Sequence, residues 1–269
     1  MTSINLDRNA VARQVRQYLD LLRDAGVEFL PAPSRTTPSV EVSAFSRAEA
    51  PAAEPASGNS LFAPAAEPAA SEDERLRSLA VLQDEVRQCM ACPELCSTRT
   101  QTVFGVGPMD VELCFVGEAP GADEDRQGEP FVGAAGQLLT RIIEAMGLRR
   151  EEVYICNILK CRPPGNRPPK VDEAANCRGF LDRQLELIRP SFICCLGFSA
   201  AKYLLNSNLA IGKMRGRFYD YNGIPVICTY HPASLLPTRS PENKRLVWED
   251  MKLLLQKMGR PIPQPKSSG

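Results

Sequence analysis

The stretch 111–121, VELCFVGEAPG, is a short apolar run that ends in a glycine-rich polar loop. An apolar run of this length bounded by glycine is typical of a buried β-strand. Similar runs follow at 153–158, 192–196 and 224–229, with amphipathic helical segments between the first three runs. The Asn-Gly pair between 218–221 and 224–229 predicts a β-hairpin. Because strands alternate with helices, the pattern predicts a mostly parallel sheet covered on both faces, which is a three-layer α/β/α domain.

The segments outside this pattern differ in composition. Residues 1–30 carry apolar side chains at helical spacing, so we interpret them as an N-terminal helical segment that either docks a protein partner or is only marginally stable. Residues 31–71 are rich in Pro, Ala, Ser and Glu and contain the near-repeats EAPAAEPAS and APAAEPAAS, which predicts a disordered linker. The folded domain is expected over 72–260, followed by a flexible tail over 261–269.

Charge and cysteine content restrict the class of protein. The chain has 32 basic and 32 acidic side chains, so net charge gives little evidence for a nucleic-acid partner. It has ten cysteines, no apolar signal core at its N-terminus and no stretch of about 18 apolar residues. We therefore expect a cytoplasmic protein without a membrane contact, in which clustered cysteines bind a metal rather than form disulfides.

Four cysteines have the spacing of a metal site. Cys89 and Cys92 form a C-x2-C turn, and Cys161 and Cys177 supply a second, distant pair. Four such thiolates bind either a [4Fe–4S] cluster or tetrahedral Zn²⁺, and the spacing alone does not separate the two. Cys96 follows Cys92 by four residues and competes as a ligand. The other five cysteines lie in or beside the apolar runs and are interpreted as core residues.

Polar and aromatic residues occur where the predicted strands end. Gly117 and Glu118 follow the first strand, and Asn157 follows the second. His231, the only histidine, follows the last strand, and Phe131 lies in a turn-rich loop. The carboxyl ends of parallel strands form the usual ligand site of such sheets. An aromatic ring, an amide, a carboxylate and an imidazole at one edge suit the recognition of a flipped nucleobase.

Four motifs, taken in their order along the chain, give a more specific indication of the protein family. They are GEAPGADEDRQGEPFVGAAGQLL at 117–139, NILKCRPPGNRPP at 157–169, LGFSAAKYLL at 196–205 and TYHPASLL at 229–236. In this order, over about residues 89–258, the chain resembles the family-4, iron–sulfur uracil-DNA glycosylases. The resemblance implies an α/β/α sandwich with a mostly parallel four-stranded sheet. It also implies a [4Fe–4S] cluster rather than zinc, with the ligands Cys89, Cys92, Cys161 and Cys177.

The resemblance also implies roles for residues of the pocket. Phe131 would stack on uracil, Asn157 would hydrogen-bond to its polar edge, and His231 would stabilise negative charge on the uracil O2. Glu124 would crowd the C5 position and exclude the methyl group of thymine. The expected activity is hydrolysis of the N-glycosidic bond of deoxyuridine in base-excision repair.

A water molecule must attack the sugar in this reaction. The resemblance implies that Glu118 and the backbone of Gly117 and Ala119 help to position that water. Better-known uracil glycosylases have an aspartate at the position of Ala119, so the water here is expected to lack a dedicated aspartate base.

The expected partner is uracil-containing DNA, single- or double-stranded, bound by a monomer. Lys160, Arg162, Arg167 and Lys170 form a basic run without an intervening acid, which indicates a DNA contact or alternatively a solvated loop. Leu235 and the leucine after it would wedge into the base stack or cover the core.

Two other readings remain at this stage. A cross-linking relative would need a histidine in the loop after Lys160, and the sequence has none there. A non-catalytic iron–sulfur DNA-binding module, associated with a polymerase or another repair partner, would not need the residues Glu118, Asn157 and His231.

Overall fold

The computed structural model describes residues 71–236 and 241–264. The predicted helical segment 1–30, nearly all of the predicted linker 31–71 and the end of the predicted tail lie outside the described residues. The proposed domain boundaries therefore remain predictions. Within the described part, the first helix begins at Glu72, where the Ser71 side chain and Glu74 form a reciprocal N-terminal cap.

The described elements alternate as the sequence indicates. The strands are β1 (Leu113–Gly117), β2 (Tyr154–Asn157), β3 (Phe192–Leu196), β4 (Phe218–Tyr221) and β5 (Ile224–Thr229). The helices are α1 (Glu72–Gln88), α2 (Pro93–Thr98), α3 (Ala122–Gln127), α4 (Ala134–Ala145), α5 (Val171–Ile188), α6 (Phe198–Leu205), α7 (Ile211–Met214) and α8 (Pro241–Lys257). Short 3-10 turns cover Arg150–Glu152, Pro164–Asn166 and Pro232–Leu235.

The strands form one sheet in the order β2-β1-β3-β5-β4. The first four are parallel to their neighbours, and β4 pairs antiparallel with β5 at the edge. The α/β class and the mostly parallel sheet are confirmed. The predicted strand count is one short, because the hairpin at Asn222 and Gly223, both with positive φ, adds β4 as an extra edge strand.

Both faces of the sheet are covered, as three-layer packing requires. On β1, Cys114 and Val116 belong to one core, and Leu113 and Phe115 belong to the core on the opposite face. All five residues of β1 are buried, which explains why the strand is continuously apolar. The predicted core cysteines are confirmed as fully buried: Cys114, Cys156, Cys194, Cys195 and Cys228.

The parallel strands end at one edge of the sheet, and the register fixes which residues meet there. Gly117 at the end of β1 pairs with Asn157 at the end of β2, and Thr229 ends β5 two residues before His231. This edge carries the candidate site. None of the helices in the described part of the chain is long and apolar enough to cross a membrane.

Candidate active site

A cavity of about 510 Å³ opens at the carboxyl edge of the sheet. Residues predicted separately from several strand ends all line it: Glu118, Ala119, Glu124, Phe131, Asn157, Arg167 and His231. Its size is within the range of small-ligand sites in proteins. The structure therefore brings the predicted pocket residues together.

The Asn157 side chain lies at the bottom of the cavity. The residue is 1% exposed, and its Oδ1 atom has no hydrogen-bond partner within the described residues. A buried amide oxygen without a donor costs about 1–3 kcal/mol, so such an atom indicates a missing partner. A ligand that offers an N–H group in the cavity would satisfy Asn157.

Gly117 allows the Asn157 amide and the Phe131 ring to approach the backbone closely. A Cβ atom at Gly117 would lie 2.5 Å from Phe131 Cζ and less than 3.0 Å from the Asn157 amide oxygen. Real Cβ atoms essentially never come so close to other atoms, so only glycine fits between the two side chains. Gly117 is thus required by the packing of the pocket floor.

Phe131 forms a wall of the cavity and has an unusual backbone. Its φ is 55°, a left-handed conformation that is uncommon for a bulky residue and costs energy. Its ring centroid lies 5.7 Å from that of His231, with an angle of 32° between the planes. Both rings line the cavity together with Asn157.

Hydrogen bonds fix the tautomer of His231. Its Nδ1 accepts a hydrogen bond of 3.1 Å from the Ala233 amide, and its carbonyl accepts one of 2.7 Å from the Ser234 hydroxyl. Because Nδ1 is an acceptor, the neutral ring carries its proton on Nε2. Burial lowers the pKa of His231 to about 4, although Glu124 nearby opposes the shift. The imidazole is therefore neutral at physiological pH, with Nε2–H as its donor.

This low pKa predicts an acid-dependent loss of stability. An unfolded histidine titrates near 6.5 and binds a proton that the folded His231 rejects down to about pH 4. Above pH 6.5 the ring is neutral in both the folded and the unfolded state, so it does not change the free energy of unfolding with pH. Between pH 6.5 and 4 the free energy of unfolding falls by about 3 kcal/mol in total. Urea unfolding at pH 7 and pH 4.5 should show a smaller acid-induced loss for His231→Gln than for the wild-type protein. Equal losses would contradict the assignment.

Glu124 binds the loop that carries Phe131. Its Oε1 accepts hydrogen bonds of 3.0 Å from the amides of both Val132 and Gly133, and its Oε2 accepts one of 3.1 Å from Gly121. Hydrogen bonds to a charged acceptor are stronger than neutral ones. The carboxylate thus links the loop after β1 to the loop that holds the aromatic wall.

Because Glu124 binds three backbone amides, we expect its removal to weaken the fold and to displace the loop that carries Phe131. Glu124→Ala should destabilise the domain by about 2 kcal/mol, because three partly buried amides lose a charged acceptor. The KM for the substrate that the resemblance implies, a uracil-containing oligonucleotide, should also rise, because Phe131 is no longer held. Thermal unfolding and steady-state kinetics measure the two effects. Asp123→Ala is the matched control, since the Asp123 carboxylate pairs with the exposed Arg126; an equal effect in both variants would contradict this role.

Comparison with known proteins identifies the family. A family model described as the Uracil DNA glycosylase superfamily matches residues 104–252. The Type-4 uracil-DNA glycosylase of Thermotoga maritima is 46% identical over 175 residues, which are 64% of this chain and 91% of that protein. That of Archaeoglobus fulgidus is 49% identical over 165 residues, 58% of this chain and 83% of the relative. That of Saccharolobus solfataricus is 46% identical over 184 residues, 65% and 84% of the respective chains.

The chain belongs to the type-4 uracil-DNA glycosylases. The family predicted from the four motifs is thereby confirmed. All four motifs overlap the residues 104–252 that the superfamily model matches.

The cysteines expected in a type-4 uracil-DNA glycosylase lie near one another. Cys161 and Cys177 are buried, whereas Cys89, Cys92 and Cys96 are partly exposed. Burial, with smaller contributions from the nearby Cys161 and Cys92, raises the pKa of the Cys177 thiol to about 11. Among the residues that the structure describes, no three His, Cys, Asp or Glu side chains are grouped to hold a single metal ion. All ten cysteines are free.

Hydrogen bonds distinguish Cys96 from its neighbours. Its Sγ donates to the carbonyl of Cys89 at 3.4 Å. By contrast, the sulfurs of Cys161 and Cys92 accept hydrogen bonds, from Arg99 at 3.0 Å and from Asn176 at 3.5 Å. The sulfur of Cys96 is thus used as a donor, whereas the sulfurs of these two predicted ligands receive hydrogen bonds.

Two predicted DNA-binding residues of this glycosylase are buried instead. Lys160 is 1% exposed, and its Nζ donates to the carbonyl of Asn157 at 2.9 Å and to Gln184 Oε1 at 2.6 Å. The DNA-binding prediction for Lys160 is wrong, because an ammonium enclosed in this network cannot reach a phosphate. Leu235 is 2% exposed and packs in the core, so its wedge prediction is also wrong and the alternative that it covers the core is confirmed.

Two of the other three basic residues of the run pair with acids. Arg167 pairs with Glu173 at 2.6 Å and Glu94 at 3.0 Å, and Lys170 pairs with Glu94 at 2.6 Å. Glu94 is 73 residues from Arg167 in sequence, which is why the run itself showed no acid. Arg162 hydrogen-bonds to Asn166 and pairs with no acid among the described residues.

The motif analysis did not single out several residues around the sites of this glycosylase. Asn166 and Ser234 line the cavity, and both lie inside motifs that were quoted for other residues. Arg99 contacts a predicted ligand cysteine, but it is 62 residues from Cys161 and belongs to no motif identified above. Only the tertiary contact reveals Arg99.

Proposed function

We propose that this protein flips a deoxyuridine out of DNA into the cavity and hydrolyses its N-glycosidic bond, releasing uracil and leaving an abasic site. The observation that carries the proposal is the buried, unpaired Oδ1 of Asn157 in a cavity that Phe131 and His231 also line. The membership in the type-4 family supports the same reaction.

Uracil recognition follows from the atoms of the pocket floor. The uracil ring stacks on Phe131, and its N3–H donates to the Oδ1 of Asn157. The amide nitrogen of Asn157 donates to the uracil O4. Cytosine has no proton on N3 and presents a donor at position 4, so it would leave the Asn157 amide unsatisfied and oppose its donor.

Departure of the base places negative charge on uracil. The Nε2–H of the neutral His231 donates to the uracil O2, where this charge accumulates. A donor held in place before the reaction requires no reorganisation as the bond breaks. The Ala233 amide at Nδ1 supports this role because it keeps the proton on Nε2.

The attacking water is held at the end of β1. The carbonyls of Gly117 and Glu118 accept hydrogen bonds from Ile158 and Leu159, at 3.0 and 3.1 Å, which fixes this backbone beside the cavity. The Glu118 carboxylate lines the cavity and orients the water, with Ala119 in place of an aspartate. A weakly basic site suffices because the cation-like sugar attracts the water once the base departs.

Glu124 excludes thymine in this scheme. Its carboxylate is held by three backbone amides beside the Phe131 loop, so it cannot easily move aside for a methyl group at C5. The same contacts that position the aromatic wall thereby contribute to specificity.

We also propose that the protein binds a [4Fe–4S] cluster, because four cysteines can supply its ligands. A [4Fe–4S] cluster takes one thiolate per iron, and Cys89, Cys92, Cys161 and Cys177 fit that set because they are neighbours and two of their sulfurs accept hydrogen bonds. When bound, the cluster would link the chain segments that carry these cysteines and would take no part in hydrolysis of the glycosidic bond. Cys161 lies four residues after Asn157, so the cluster site adjoins the loop that borders the base pocket.

DNA contacts are proposed for Arg162, Arg167 and Lys170. Arg167 lines the cavity, and its pairs with Glu94 and Glu173 would be weakened in favour of phosphates. We further propose a monomer in the reducing cytoplasm, which suits a cluster and cysteines that form no disulfide. A protein partner of residues 1–30 also remains a proposal.

One gel assay tests the reaction. The full chain is incubated with uracil-containing single- and double-stranded oligonucleotides and with thymine-containing controls, and the products are then treated with alkali. Alkali-dependent scission at uracil alone supports the proposal. A covalent protein–DNA adduct would indicate a cross-linking enzyme, and binding without scission would indicate a non-catalytic module; either result overturns the proposal.

A further inference from the structure

The guanidinium of Arg99 bridges two of the predicted ligand segments. Its Nη1 donates to the sulfur of Cys161 at 3.0 Å, and its Nη2 donates to the carbonyl of Cys89 at 2.9 Å. Cys89 and Cys161 are far apart in sequence. A planar guanidinium makes two directed hydrogen bonds at once, which the ammonium of lysine does not reproduce.

The fold holds Arg99 in this position. Arg99 follows the last residue of α2, and its amide donates to the carbonyl of Leu95. The amide of the next residue, Thr100, donates to both oxygens of the Asp125 carboxylate, at 2.9 and 3.0 Å. Asp125 is itself buried. The short helix α2 therefore brings Arg99 back beside Cys89. The buried Asp125 holds the backbone at the next residue, Thr100.

The hydrogen bond from Arg99 to Cys161 has a charged donor, whereas the hydrogen bond from Asn176 to Cys92 has a neutral one. Asn176 donates to the Cys92 sulfur at 3.5 Å with a neutral amide. Arg99 brings a positive charge at shorter distance, and charge-assisted hydrogen bonds are about twice as strong as neutral ones. The residue also borders an open cavity of about 400 Å³ together with Arg87 and Cys96, so this side of the ligand set is accessible.

We propose that Arg99 is a positioning residue for the [4Fe–4S] cluster, which retains the iron at Cys161 and raises the reduction potential of the cluster. The inference rests on the cluster assigned under Proposed function. A cluster with four thiolates carries net negative charge, and one-electron reduction adds another negative charge. A cationic donor at a ligand sulfur stabilises the reduced form most.

The test compares Arg99→Gln and Arg99→Lys with the wild-type full chain, purified without oxygen. Loss of outer-shell donors typically weakens metal binding about 10- to 100-fold. We therefore expect iron release to a chelator about 10- to 100-fold faster for Arg99→Gln, an intermediate rate for Arg99→Lys, and a more negative midpoint potential for Arg99→Gln. Circular dichroism checks that each variant is folded.

Arg87→Gln is the matched control. Arg87 borders the same cavity, but its guanidinium pairs with the exposed Asp84 and contacts no cysteine sulfur among the described residues. Its iron release and potential should equal those of the wild type.

The outcomes separate this inference from the cluster itself. Wild-type protein without iron and without the brown absorbance of a cluster would refute the cluster, and the inference with it. Wild-type protein with a cluster, but with unchanged release and potential in Arg99→Gln, overturns the inference alone. If Arg99→Gln does not fold, Arg99→Lys decides: faster release supports the role, and wild-type release overturns it.

Discussion

His231→Ala should slow the release of uracil about 10²- to 10³-fold in single-turnover experiments, while affinity for DNA stays nearly unchanged. This is the usual effect of removing one preorganised donor at a developing negative charge. Rates follow from quenched reactions with excess enzyme, and affinity from fluorescence anisotropy with a non-hydrolysable deoxyuridine analogue.

The effect should be confined to the rate because of what His231 contacts. Its Nδ1 already accepts from Ala233, so Nε2–H is the group that alanine removes from the cavity. A donor to O2 is more valuable when uracil leaves as an anion than when uracil is neutral, and differential binding of this kind changes kcat rather than Kd. Because the pKa of His231 is lowered to about 4, the rate should not fall with histidine protonation until the pH approaches that value.

Tyr230→Phe is the control for His231→Ala. Tyr230 is the preceding residue, packs against the core on one face of the sheet and lies below the Arg215 guanidinium rather than in the cavity. Its rate should equal that of the wild type. Equal losses of rate and affinity in His231→Ala would show that His231 serves binding only.

Gly117→Ala should lower uracil release on the order of 10²-fold, although a single methyl group is added. The new Cβ would lie 2.5 Å from Phe131 Cζ and less than 3.0 Å from the Asn157 amide oxygen, so both side chains must move. Displacement of binding groups by about 1 Å can cost about 10²-fold in rate. Crowding should also destabilise the domain by about 1–3 kcal/mol, which thermal unfolding measures.

Gly179→Ala provides the same chemical change without the collision. Gly179 lies in α5, and a Cβ there meets no atom within 4 Å. Alanine is about 1 kcal/mol better than glycine inside a helix, so this variant should keep full activity and gain stability. Wild-type activity in Gly117→Ala would show that the pocket floor adapts and does not need glycine.

The sequence by itself determined the layers and the edge that carries the site. Apolar runs that end in glycine-rich or polar loops indicated parallel strands, because a strand buried on both faces must be apolar throughout. Since the carboxyl ends of such strands meet at one edge, Asn157 and His231 were expected in one pocket, and both line the cavity. The Asn-Gly turn indicated both arms of the hairpin, but the predicted four-stranded sheet did not count its edge strand β4.

Only the tertiary structure decided the surroundings of individual charges, because their partners are distant in sequence. The sequence predicted a DNA contact at Lys160, but in the structure its ammonium is buried and donates to Gln184. The sequence around Arg167 showed no acid, but Glu94 of α2 pairs with it. The same reason applies to Arg99, which acts on Cys161 across 62 residues. Local pattern fixes which face of an element is apolar, whereas the partner of a buried charge depends on which elements pack together.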